Sequence, residues 1–187
     1  METHTTRRTA IATMGAGMAG LAAIAMTARG ASAAMSSAAG VAAGGSLEGP
    51  GGTIQFSAFG SRMEFDDATG PIFQGSLAWH DPAGPDGAPV TIALAGIEFY
   101  GPTDLENERR LIGTVTVNGE GAYPAALTLV ENGAVGEAAD TVHLVVGTAV
   151  AELTGTPTAA DADISFAYDV EGPLTTGDIN LVAVANG

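Results

Sequence analysis

Few side chains in this chain could do acid–base or ligand chemistry, and their spacing decides what that chemistry would be. Histidine occurs at His4, His80 and His143 and cysteine is absent, so a thiolate metal site and a cysteine nucleophile are both unavailable. His80 stands beside Asp81 at the end of an alternating run, where a His-Asp neighbour pair reads as turn chemistry rather than half of a triad. His143 alternates with Val142 and Leu144, which predicts a place on the solvent face of a strand. No G-x-S-x-G turn marks a serine nucleophile. With 21 acids some pair of carboxylates will always look fit for glycoside hydrolysis, so such a pair has no specificity. The chain reads as non-catalytic.

Cation binding is the other chemistry that acids offer, because Ca²⁺ takes six to eight oxygens, mostly from loop carboxylates and carbonyls. Asp66-Asp67, Asp104-x-Glu106-x-Glu108 and Asp161-x-Asp163 are the candidate groups. In Asp161-x-Asp163 both side chains fall on one side of an extended segment, so Asp161 and Asp163 are the expected metal ligands and Ca²⁺ the one cofactor to consider. Glu106 and Glu108 have Arg109 and Arg110 beside them as ready partners.

The formal charge is −15, and the six basic residues are all arginines. Three of them precede residue 34, so a chain processed there keeps three arginines against twenty acids, a net of −17. A field of that sign repels phosphate backbones and anionic lipid, which excludes nucleic acid as a partner and leaves carbohydrate or protein.

The first 33 residues read as an address. Arg7 and Arg8 precede an uncharged Gly/Ala-rich stretch from Thr9 to Ala28, and Ala31-Ser32-Ala33 ends it, the three-part layout of an export signal. Thr6-Arg7-Arg8 with Ile11 resembles the twin-arginine signal, which implies transport of a folded chain. Cleavage is expected after Ala33, leaving no membrane-inserted segment; an uncleaved anchor of about 20 residues is the rival reading. Gly15-Ala-Gly17-Met-Ala-Gly20 matches G-x-G-x-x-G, but no strand precedes it and no acid follows before Glu48, so the match is accidental.

The elements that must position these residues are strands. Residues 34–50, small and aperiodic, predict a flexible Ala/Gly/Ser tether, and residues 51–187 predict a single β domain. Ile54, Phe56 and Ala58 alternate with polar residues, as do Leu77 and Trp79. Val90, Ile92 and Leu94 form one inward set, then Gly96 reads as a bulge before Ile97 and Phe99. Leu111, Gly113, Val115 and Val117 point inward, followed by Tyr123, Ala125, Leu127 and Leu129, and by Val142, Leu144 and Val146. Asn132-Gly133 supplies left-handed conformations for the reversal between the last two sets. Segments 163–170 and 178–184 complete about eight or nine short strands, with turn signals roughly every ten residues, which predicts an all-β antiparallel sandwich or, alternatively, a small β-barrel.

The order Gly75-x-Leu77-x-Trp79-x-Asp81, Val117-Asn118-Gly119-x-Gly121-x-Tyr123, Asn132-Gly133, Gly136 and Val142-x-Leu144 is similar to the post-COAP domain of secreted bacterial proteins, over roughly residues 51–146. The resemblance implies an all-β secreted module and no particular activity. The expectation is therefore an exported, extracellular or envelope β module with a structural or binding role, or alternatively a Ca²⁺-stabilised carbohydrate-binding module.

Overall fold

The computed structural model describes residues 35–66, 70–133, 139–147, 150 and 165–185. Among them eight strands run in chain order: β1 (Met35–Gly49), β2 (Gly52–Phe65), β3 (Ile72–Asp81), β4 (Val90–Pro102), β5 (Glu108–Val117), β6 (Glu120–Val130), β7 (Thr141–Val146) and β8 (Tyr168–Ala185). Each pairs antiparallel with the next, and β8 returns to β1, closing an up-and-down barrel. Of the two architectures the strand pattern allows, the chain adopts the barrel. Closure leaves no sheet edge to protect by stacking a second sheet over it.

The strand that makes closure possible is β1, which corrects the expected tether. Met35–Gly49 pairs along β2 on one edge and β8 on the other. Its alternation is hidden because nearly every residue is small, yet Val41 and Leu47 are core residues and Ala39 and Ala43 pack beside them. Glycine is required at one point: a Cβ on Gly45 would lie 2.0 Å from the Thr176 carbonyl oxygen. Composition identifies a linker only when no partner strand is waiting, and here two are.

Other boundaries also move. β2 runs unbroken through Gly60, where a side chain would strike the Tyr100 ring at 2.7 Å. The last two expected strands are one, β8, which pairs with β7 through Pro173 and with β1 from Leu174 onward. β4 carries the expected bulge between Leu94 and Gly96 and a second between Ile97 and Phe99. The second bulge shifts the phase again, so Tyr100 is fully buried while Phe99 is 37% exposed, the reverse of the sequence expectation for Phe99.

Two turns fix the register. Asn118 (φ 53°) and Gly119 (φ 81°) both take the left-handed region, as a two-residue hairpin of mirror-image type demands. The Asn118 Oδ1 accepts from the Thr91 amide at 2.8 Å, tying this hairpin to the start of β4. Gly133 has φ 125°, as expected, whereas Asn132 stays out of the left-handed region and works through its side chain, donating to the Ala139 carbonyl at 2.9 Å.

The barrel interior is filled. Leu47, Ile54, Trp79, Ile92, Leu129 and Leu144 are among its fully buried side chains, as suits an eight-stranded barrel, which is only wide enough for its own side chains. The outward positions Gln55, Ser57, His80, Thr91, Asp169 and Glu171 are exposed and polar, while Ile112, Ala126, Val145 and Val150 form a second, smaller apolar cluster on the outer side of β5–β7. Among the described residues no helix is long and apolar enough to cross a membrane.

Candidate functional site

Three of the seven connections, 66–71, 103–107 and 131–140, join strands at one end of the barrel, here called the lower end. The inward face of the strands there carries arginines, which the upper part of the core lacks. Arg62 and Glu64 continue the inward phase of Ile54, Phe56 and Ala58 on β2, and Arg109 continues that of Leu111 and Gly113 on β5. The barrel is narrow at this level, since the space over Gly60 is filled by Tyr100 and by Leu111 from the opposite wall. One step further down on each strand come Arg62 and Arg109, and so both face the same mouth.

Their partners differ. Arg62 Nη2 binds Glu64 Oε1, and Glu64 Oε2 accepts from the Ser37 hydroxyl at 2.9 Å. Arg110, on the outer face, pairs with Glu108 at 3.3 Å and donates to the Thr128 hydroxyl. Arg109 donates from Nη1 to the carbonyls of Glu106 and Glu108, at 2.8 and 2.7 Å. Among the described residues it has no carboxylate within ion-pair distance. Beside it the Tyr100 hydroxyl is buried, with the Arg109 guanidinium as its polar neighbour. Burial pushes the Tyr100 phenol up to about 12, with the charge of Arg109 and a hydrogen bond from it pulling the other way. The buried Arg62 Nε has no hydrogen-bond partner.

Just outside this mouth, β3 and β4 part. They are paired only between Ala78–Asp81 and Val90–Ala93. Below that point β3 stays with β2 and β4 with β5. Side chains take the place of backbone pairing there: Leu94 and Ile97 pack over Gly75, and the Phe73 and Phe99 rings meet at 5.9 Å.

The upper part of the interior holds a polar chain of a different kind. Trp79 Nε1 donates to the Tyr168 hydroxyl at 2.8 Å, and that hydroxyl donates to Asp81 Oδ2, also at 2.8 Å. The Ala83 amide satisfies Asp81 Oδ1. Burial, then the bond to Asp81, raises the Tyr168 phenol above its ordinary value. Asp140 plays a matching part lower down, accepting from the amides of Asn132 and Ile179 and so bolting the β6–β7 connection to β8.

Against the sequence expectations, His143 does lie on the outer face, where its Nε2 meets Asp169 Oδ1 at 2.8 Å. His80 is exposed while its neighbour Asp81 is buried, so consecutive strand positions send them to opposite sides of the wall. The Asp104, Glu106 and Glu108 group is spread along a turn and a strand, and among the described residues no cluster of three potential ligands forms. Asp161 and Asp163, Arg7 and Arg8, and Ala33 lie outside the described residues. Sequence reasoning missed the inward setting of Arg109. The signal was present, because alternation carried two residues back from Leu111 reaches it.

No family model matches this chain, and no curated protein or solved structure matches it significantly.

Proposed function

We propose that the chain is an exported, non-catalytic β-barrel module with a structural or binding role at the cell envelope or outside the cell. The observation that carries this reading is how its buried acids are used. Asp81 and Asp140 spend their oxygens on a phenol and on three backbone amides, and so act as rivets of the wall. Much of the outer face is polar, and twenty acids against three arginines after processing suit a protein that stays dispersed in water. The Arg7-Arg8 segment and the resemblance to the post-COAP domain support the exported setting.

The test is fractionation of cells expressing the full chain and its Arg7→Lys/Arg8→Lys variant. Export of the parent and retention of the variant are expected. Undiminished secretion of the variant would reject the twin-arginine route.

A further inference from the structure

We infer that in the uncleaved chain the apolar segment of residues 9–28 lies against the outer wall of the barrel, in a shallow groove over β1 between β8 and β2. The inference goes beyond the exported setting proposed above and does not rest on it.

Burial along the outer face of β2 runs the wrong way for a bare wall. Ile54, Phe56 and Ala58 face the core, so Gln55, Ser57, Phe59, Ser61 and Met63 face out. Gln55 and Ser57 are exposed and Phe59 is half-buried, but Ser61 is only 4% exposed and Met63 5%. Their neighbours in register do not hide them: Gly40 and Ala38 on β1 have almost no side chain, and Gln74 and Ile72 on β3 stand on one flank only. Met63 belongs to neither apolar cluster of the barrel. The Ser61 hydroxyl has no hydrogen-bond partner. An outward serine on a wet wall is solvated; this one is dry and unpaired, which is the effect of an apolar cover whose own polar groups are already spent.

The wall beneath that cover is shaped to receive it. Ala38, Gly40 and Ala42 are the floor, Val182 on β8 stands beside Gly40 as one bank, and Phe59 and Met63 on β2 form the other. Position then selects the covering segment. The connection from β7 to β8 runs at the upper end, and Val150 within it sits on the outer side of β5–β7, across the barrel. Asp67, Ala68 and Thr69 have the β2–β3 reversal to close. Residues 9–28 precede β1 itself, which starts at Met35 opposite Phe65, at the lower end of the groove. They are uncharged, and Ile11, Met14, Met18 and Leu21 recur at the three- and four-residue spacing of a one-sided helix. Twenty helical residues extend about 30 Å, ample to cover the groove, and residues 29–34 are enough for the reversal into β1. Cleavage after Ala33 would uncover the groove.

The chain has no cysteine, so Ser61→Cys places a single thiol under the cover. In the full-length chain its labelling by a maleimide should be at least about tenfold slower than that of Ser57→Cys, two steps up the same face and exposed. Adding Met18→Asp and Leu21→Asp should bring the two rates together, because an apolar wall does not take up carboxylates. Emission from Trp79, the single tryptophan and a core residue, checks that the barrel stays folded in every variant. The inference is overturned if Ser61→Cys reacts as fast as Ser57→Cys in the parent background, or if it stays slow with both aspartates present. Protection that survives the aspartates but fades on dilution would assign the cover to a second copy of the chain and overturn it equally.

Discussion

Asp81 is 1% exposed, yet it accepts from the Tyr168 hydroxyl and the Ala83 amide, and Tyr168 in turn accepts from Trp79. Removing the hydroxyl strands a donor on Trp79 and a lone pair on Asp81. Tyr168→Phe should therefore cost about 1–3 kcal/mol in urea unfolding at neutral pH. The same variant has a signature at alkaline pH. Both Tyr100 and Tyr168 hold their protons above the ordinary phenol value of 10.0, so between pH 10 and about 12 the unfolded chain binds fewer protons than the folded one. Stability contributed by these phenols is complete below pH 10 and is lost as pH rises, with a slope of up to about 2.7 kcal/mol per pH unit for two groups. In Tyr168→Phe the slope should fall by about half. Parallel slopes in parent and variant would show that Tyr168 is not a buried proton holder.

At the scale of elements, β1 separates what composition suggests from what pairing does. If Met35–Gly49 is a wall strand, deleting residues 1–50 removes Val41 and Leu47 from the core and opens both neighbours, and cooperative unfolding should vanish; deleting residues 1–33 should leave the melt intact. Gly45→Ala offers a finer check, because its Cβ would fall 2.0 Å from a carbonyl oxygen, against 3.4 Å at Gly40. The Gly45 variant should lose about 1–3 kcal/mol. Gly40→Ala should stay within about 0.5 kcal/mol in the same urea titration. The strands with large residues were legible in the sequence: Ile54, Phe56 and Ala58, Leu77 and Trp79, and Leu127 and Leu129 all face the core as their alternation predicts. β1 was not, since Ala, Gly and Ser give no contrast between faces. β4 was legible only to its first bulge, because each extra residue inverts the phase and the second bulge has no glycine to announce it. That inversion buries Tyr100, so its inward place beside Arg109 lay beyond a local reading, while the inward phase of Arg109 was within reach of one.

For the molecule as a whole the question is what its acids do. Closure, a filled interior and the Asp81 and Asp140 bolts hold the barrel together, and a net charge of −15 works against them. Like charges crowded on one compact body repel, and salt screens them over about 10 Å at 0.1 M. The melting temperature of the full-length chain in chelator should therefore climb with added NaCl. CaCl₂ without chelator, at matched ionic strength, separates screening from a specific site. A diffuse field responds nearly alike to the two salts, whereas a site at Asp161 and Asp163 filled to a hundred times its Kd would add about 2.7 kcal/mol, a further rise of roughly 5–10 °C for a domain of this size. Coincident curves are expected if the acids serve only to keep the barrel dispersed. A separate calcium increment would instead favour the Ca²⁺-stabilised reading, and would make calcium the right background for glycan binding trials.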